Sequence, residues 1–254
     1  MRSRRRRTCS KCLPSGGCDE EVCLMRIEAV NEMTCIVYFG DTISEQTAQK
    51  VSWAIGRLRQ KLSDQIVDII PSYTSILVCY DVNKTDRFTI IAQLKKALRG
   101  IKSAHTNTQA SNVIDLPVYY GEEVSLDIEE VCEHNGLGRD QVIQIHSEKL
   151  YQVYAIGFSP GFAYLGTTDE RIATPRKSTP RLKVPTGSVG IADNQTAIYP
   201  SPTPGGWQII GRTPTKMIDW ESDGLAKVAV GDYVRFRSVS KPEFLELGGS
   251  FDEL

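Results

Sequence analysis

Between residues 157 and 214 the chain cannot hold a long helix. The segment reads GFSPGFAYLGTTDERIATPRKSTPRLKVPTGSVGIADNQTAIYPSPTPGGWQIIGRTP. Its glycines and prolines recur too often for an unbroken helical hydrogen-bond ladder, while short β-prone runs survive between them. Five aromatic residues (Phe158, Phe162, Tyr164, Tyr199 and Trp207) and a basic cluster (Arg176, Lys177, Arg181 and Lys183) are interleaved with the turns. The pattern predicts a barrel or sandwich whose loops present rings and cations to an anionic ligand.

The rest of the chain, 254 residues in all, leaves room for one large domain or two modest ones, each with its own core. A net charge of −1 gives no global field for nucleic acid or membrane. No apolar run approaches the roughly 20 residues of a membrane span, and the basic amino terminus lacks the apolar core of a secretory signal. Four of the seven cysteines, Cys9, Cys12, Cys18 and Cys23, fall in the first 24 residues. Cys9-x-x-Cys12 is a plausible first pair of zinc ligands, but Cys18 and Cys23 do not form a matching second pair. The expectation for residues 1–24 is therefore an unstructured tail, an over-extended translation start, with Met25 opening the domain. That tail carries six basic and three acidic residues, so the remainder has a net charge of −4. Cys35, Cys79 and Cys132 are dispersed as reduced cytosolic core thiols would be, and the expected location is cytoplasmic.

Residues 35–40 read as a strand. Thr42-x-x-Glu45 reads as a capping box, followed by a helix with Val51, Ala54, Ile55, Leu58 and Leu62 on one face. Strands are expected at residues 65–70 and 75–80, and then a helix over 86–99 burying Phe88, Ile91, Leu94 and Leu98. Residues 100–112 form a polar linker. With a last strand at 113–120, the order suits a split βαβ sandwich. Ser125 is placed to cap a short helix stopping at Asn135-Gly136, a second short helix covers 139–145, and His146 ends it. Strands and turns follow from Tyr151 to a barrel-closing strand at 231–236. The fold class is α+β. Residues 25–110 form the small amino-terminal domain, 111–240 the barrel domain and 241–254 a carboxy-terminal tail.

Gly157-Phe158-Ser159-Pro160-Gly161 matches the nucleophile elbow of serine hydrolases. The match fails physically, because the residue after the serine must donate its N–H to an oxyanion and Pro160 has none. No P-loop sequence occurs. His146 titrates near neutral pH and is a candidate for proton transfer, although a lone histidine is more often structural. Arg176, Arg181 and Arg212 each lie near a proline and offer planar forks for carboxylate or phosphate. Lys177 and Lys183 fit a solvated face as well as a site. Gly205-Gly206 lets the backbone approach an anion, and Trp207 serves as a pocket wall or a core plug.

These residues resemble the carboxyltransferase-domain C/D family, whose members are called the B subunit of 5-oxoprolinase, allophanate hydrolase subunit 1 or Kip-type sensor-kinase inhibitor. The resemblance rests on His146-Ser147, the run Gly157 to Gly166, Ala173-Thr174-Pro175-Arg176, Thr179-Pro180-Arg181 and Val184-Pro185 with Gly187-Ser188-Val189. It continues through Ile198-Tyr199-Pro200, Pro204-Gly205-Gly206-Trp207 and Ile210-Gly211-Arg212-Thr213-Pro214, and covers roughly residues 25–238. Ala163 departs from it, standing where many relatives have proline. The resemblance implies a small α/β domain followed by a cyclophilin-like β-barrel. It also implies partnership with the homologous C subunit and the A subunit of the 5-oxoprolinase complex, in ATP-dependent opening of 5-oxoproline to glutamate. ATP arrives as substrate, with Mg2+. Phosphorylating the lactam oxygen makes a resistant amide electrophilic, and such transfers rely on charge neutralisation and positioning. The roles implied are His146, Arg176 and Arg181 in catalysis, with Pro160, Gly161, Phe162, Tyr164, Gly187, Ser188, Tyr199, Gly205, Gly206, Trp207 and Arg212 lining the substrate or nucleotide site; no metal ligand is expected. Two other readings stay open. One is inhibition of a sensor histidine kinase, with Phe162, Tyr164 and Trp207 as interface anchors. The other is a component of an enzyme acting on allophanate or a carboxylated carrier.

Overall fold

The computed structural model describes residues 25–101, 112–221 and 225–251. The expected tail at 1–24, with its zinc alternative, and most of the 100–112 linker lie outside them. Two separate sheets organise the rest. The first is antiparallel in the order β1 (Arg26–Ala29), β2 (Thr34–Tyr38), β4 (Ser75–Tyr80), β3 (Ile66–Pro71). Alternate residues of its strands, Cys35, Val37, Ile69, Ile76 and Val78, point to one face. There they pack with Val51, Ala54, Leu58 and Leu62 of α1 (Glu45–Leu62) and Ile90 and Leu94 of α2 (Arg87–Ala97). The capping differs from expectation by two residues. Helix α1 begins at Glu45, so the cap is Ser44, whose Oγ accepts the Thr47 N–H at 3.2 Å. In α2 the buried stripe starts at Ile90. Phe88 faces solvent at 74% exposure, because Asp86 caps the N–H groups of Phe88 and Thr89 and turns the first turn outward.

The expected strand at 113–120 does not join this sheet. As β5 (Val113–Val118) it runs parallel to β13 (Tyr233–Ser238) at the edge of the second sheet. The order there is β12 (Gln208–Arg212), β9 (Ser188–Ala192), β10 (Gln195–Ile198), β7 (Ala163–Gly166), β6 (Leu150–Ile156), β13, β5. A small antiparallel pair, β8 (Arg181–Val184) with β11 (Thr203–Gly205), stands apart from it. The sheet curls until its ends meet. Tyr119, just beyond β5, and Arg212, at the end of β12, exchange both backbone hydrogen bonds at 2.8 Å. This seam, not the last strand, closes the barrel; β13 lies between β6 and β5. At the seam a β-carbon on Gly211 would sit 2.8 Å from the Tyr119 carbonyl oxygen, so only glycine lets the ends approach.

The barrel core gathers Leu116, Val118, Tyr151, Leu165, Ile191, Ile198, Ile210 and Phe236 with Ile128 and Val131 of α3 (Ile128–Asn135) and Val142 of α4 (Arg139–Glu148). Gly136 stops α3 in the left-handed conformation, as the Asn-Gly pair predicts. Ser125 does not cap it; its Oγ donates to the Gly121 carbonyl, and Asp127 holds the cap position. The segment expected as a carboxy-terminal tail contains α5 (Lys241–Glu246), whose buried Phe244 stacks on Tyr119 at 5.4 Å over the seam. Among the described residues no helix is long and apolar enough to cross a membrane.

Candidate functional site

The glycine- and proline-rich stretch folds into the β7 to β12 side of the barrel and collects its aromatic residues into a second core. Phe162 lies at its centre, with ring centroids 4.8 Å from Tyr164, 5.2 Å from Tyr199 and 5.9 Å from Trp207, all near edge-to-face. Phe162 and Trp207 are 2% and 4% exposed, and Tyr199 is buried with them. They serve as packing and cannot anchor a partner protein without the barrel opening. Tyr164 is half-buried and reaches the surface. Arg176, exposed, lays its guanidinium 5.5 Å from the Trp207 ring centroid. Among the described residues it has no carboxylate partner.

Its two basic neighbours are differently placed. Arg181 donates both terminal nitrogens to the Asp127 carboxylate, at 2.6 and 2.7 Å, and Lys177 donates to Asp127 at 2.8 Å and Glu130 at 2.6 Å. The same carboxylate accepts the Ile209 N–H at 2.7 Å. Asp127 precedes α3, yet it gives that helix no side-chain cap because its oxygens are spent on β8, β12 and Lys177. Burial pushes the Asp127 carboxyl up, but the bonds from Arg181, Lys177 and Ile209 outweigh it and hold the group below its ordinary range. Desolvation lowers Lys177, and its two carboxylates more than restore it. The cluster is thus a neutralised latch, Lys177 and Arg181, with Arg176 open beside the aromatic rings. Lys183 is exposed, as a solvated face requires.

His146 is elsewhere. It is 0% exposed in the last turn of α4, bonded through Nδ1 to the Tyr120 hydroxyl at 2.8 Å and through Nε2 to Thr196 Oγ1 at 3.0 Å. Its ring stacks on Phe236 at 4.6 Å. Desolvation pulls its pKa down to about 3, so the imidazole is neutral. A neutral, fully bonded ring in the barrel core has no path to a reacting group, which corrects the acid/base role expected for it.

The remaining candidates fall into three places. Pro160 and Gly161 form the turn from β6 to β7, tied by Gly157 N–H to Phe162 O and Phe162 N–H to Ser159 O at 3.0 Å each. Gly187 and Ser188 lead into β9, where Gly187 donates to the Tyr199 carbonyl at 2.7 Å. Gly205 and Gly206 lie beside the cluster, but the close approach at Gly205 is to protein: a β-carbon there would stand 2.3 Å from the Tyr199 hydroxyl. Gly206 accepts the Lys177 N–H at 2.8 Å. Arg212 is buried at the seam, where its Nη1 donates to the Ser250 carbonyl at 3.0 Å, so it stabilises the closure. Among the described residues no three His, Cys, Asp or Glu side chains gather as metal ligands.

One member of the corner comes from the other sheet. The turn between β3 and β4 carries Tyr73, whose ring lies 5.8 Å from Tyr164 and 6.3 Å from Tyr154, edge-on to both. Nothing in the sequence around Tyr73 signals this, because a turn residue's long-range neighbours leave no periodic trace. Asp127 was equally hidden, since an Asp before a helix reads as a cap.

Comparison with known proteins agrees with this architecture. Residues 25–227 match the family described as carboxyltransferase domain, subdomain C and D. The chain is 35% identical to the 5-oxoprolinase B subunit of Bacillus subtilis (strain 168), over 86% of this chain and 95% of that one. It is 38% identical to the protein of that name from Escherichia coli O157:H7, over 74% and 85% respectively. Among solved structures, TTHA0988 superposes with a TM-score of 0.70 at 30% identity; the match covers 83% of this chain but only 40% of that longer one. Kluyveromyces lactis urea carboxylase shares the fold alone, with a TM-score of 0.67 at 17% identity over 87% of this chain and 22% of that one. The chain belongs to the carboxyltransferase domain, subdomain C and D, family.

Proposed function

We propose that this chain is the B subunit of a 5-oxoprolinase, acting with the homologous C subunit and the A subunit to open 5-oxoproline to glutamate at the expense of ATP. The observation that carries the reading is the 35–38% identity to proteins named as the B subunit of 5-oxoprolinase, spanning 85% or more of the length of each. The site supports it chemically. Arg176, set over the buried Trp207 ring, and the half-buried Tyr164 beside it offer one guanidinium and one aromatic surface. That pairing suits a small planar ring bearing a carboxylate. It does not suit a triphosphate with magnesium, which needs several cations, because Lys177 and Arg181 are already neutralised by Asp127 and Glu130. In this reading the nucleotide is held by another component of the complex, and this chain positions the lactam.

The test is reconstitution. The chain alone should show negligible 5-oxoproline turnover, and addition of the A and C subunits with ATP and magnesium should produce glutamate. Full turnover by the isolated chain, or none in an assembled complex, would overturn the assignment.

A further inference from the structure

The amino-terminal sheet and the barrel touch at more than one place. On one side, the Tyr233 hydroxyl of β13 donates to Glu45 of α1 at 3.4 Å, and Ser52 of α1 packs under Gly231, where an added β-carbon would stand 2.8 Å from its Oγ. Those contacts join α1 to the loop and strand at β13. Tyr73 is a separate contact made by the turn between β3 and β4, and its chemistry differs from theirs. It is partly exposed, and its phenol lies at the open corner among Tyr164, Arg176 and Gln195. Burial pushes its pKa up to about 12, so it is a neutral hydroxyl across the working range. The Gln195 side chain lies beside the phenol and offsets part of that rise. A neutral phenol carries one O–H that it can donate. Arg176 also bears electrostatically on Tyr73 and Tyr164, the two partly exposed phenols of the corner, lowering the pKa of each.

We propose that Tyr73 is a ligand-binding residue of the barrel site, donating its phenol O–H to a carboxylate or amide oxygen whose charge is met by Arg176, so that the site is built jointly by the two sheets. The inference rests on the 5-oxoproline reading for the identity of that ligand, and not for the geometry of the corner. Tyr73 acts by orienting the bound acid through that hydrogen bond and forms no covalent bond to it.

The experiment is Tyr73→Phe in the reconstituted complex, with steady-state kinetics in both substrates and thermal unfolding of the chain. Removal of one hydroxyl should raise KM for 5-oxoproline about tenfold while kcat and KM for ATP hold within about twofold. The melting temperature should not move, because the ring keeps its edge-on contacts with Tyr154 and Tyr164. Unchanged KM for 5-oxoproline overturns the proposal, as does a KM change accompanied by a lowered melting temperature. If the wild-type complex does not turn over 5-oxoproline, the functional reading has failed and a second measurement decides the corner. Tryptophan fluorescence of the chain is then titrated with 5-oxoproline and with acetate. A response weakened by Tyr73→Phe and abolished by Arg176→Ala supports the corner, and the same titration in all three proteins overturns it.

Discussion

The two oxygens of Asp127 grip the two terminal nitrogens of Arg181 at 2.6 and 2.7 Å, across 54 residues of chain. This pair ties the start of α3 to β8, and the Ile209 N–H on the same carboxylate ties both to β12. A fully buried acid with three donors holds together elements that share no strand pairing. It also decides which cations of the basic cluster are open to a ligand.

Asp127→Ala should therefore act on stability. It leaves Arg181 and Lys177 partly buried without their common counter-charge, a loss that typically costs about 3 to 5 kcal/mol. Urea unfolding at neutral pH should show it as a lower midpoint, and a shift under about 0.5 kcal/mol, the scale of an ordinary surface change, would remove the latch from the account.

Arg176 and Arg181 should separate by assay. Arg176→Ala should lower turnover of the reconstituted complex by about a hundredfold, the usual consequence of removing one preorganised donor, while the chain still assembles and melts normally. Arg181→Ala should instead lower the melting temperature, because it takes the two-point partner from the buried Asp127 and leaves it Lys177 and the Ile209 N–H. Normal turnover with Arg176→Ala would exclude the open cation from the site.

His146 should report on pH through stability. Its folded pKa of about 3 lies below the ordinary 6.5, so between those values the unfolded chain takes a proton that the folded chain refuses. Stability from this group is complete above pH 6.5 and falls as pH drops through the window, by about 1.4 kcal/mol per unit. His146→Gln should flatten the dependence by that slope between pH 6 and 4.5 and leave the pH profile of turnover unchanged. A turnover profile that loses a limb in this variant would restore the acid/base role.

Much of the fold was legible because it rests on local rules. The strand at 75–80 follows to the residue from its β-rich run, and Gly136 stops α3 as an Asn-Gly pair should. What escaped depends on partners far along the chain. Phe88 looks like a core residue among apolar positions, and only the cap at Asp86 sets it outward. The motif around His146 gave no measure of burial, so a core hydrogen-bond hub and a catalytic base read alike. The aromatic and basic residues of the site were visible, but Asp127, which pairs with Lys177 and Arg181, and Tyr73, which packs edge-on against Tyr164, lie in segments of ordinary composition.

The glycine at the seam offers a direct test of closure. Gly211→Ala places a β-carbon within 2.9 Å of Tyr120 and Val118 as well as near the Tyr119 carbonyl. Overpacking of this kind costs about 1 to 3 kcal/mol. Amide exchange at Tyr119 and Arg212 should accelerate more than exchange at β9 or β10. Uniform loss of protection would show that the seam opens only with the whole barrel.

The position of β5 beside β13 has a consequence for synthesis of the protein. The first strand of the barrel finds its parallel neighbour about 120 residues later, at Tyr233 to Ser238. The first sheet with its two helices is complete by residue 98, so it can fold while the ribosome is still making the rest. The barrel has no such freedom. Until β13 has left the exit tunnel, β5 and β6 have open edges with no strand between them, and the aromatic cluster has assembled on an unclosed wall. A chain stalled before residue 233 would carry one finished domain and one sticky, half-curled sheet, the species a chaperone would be expected to hold.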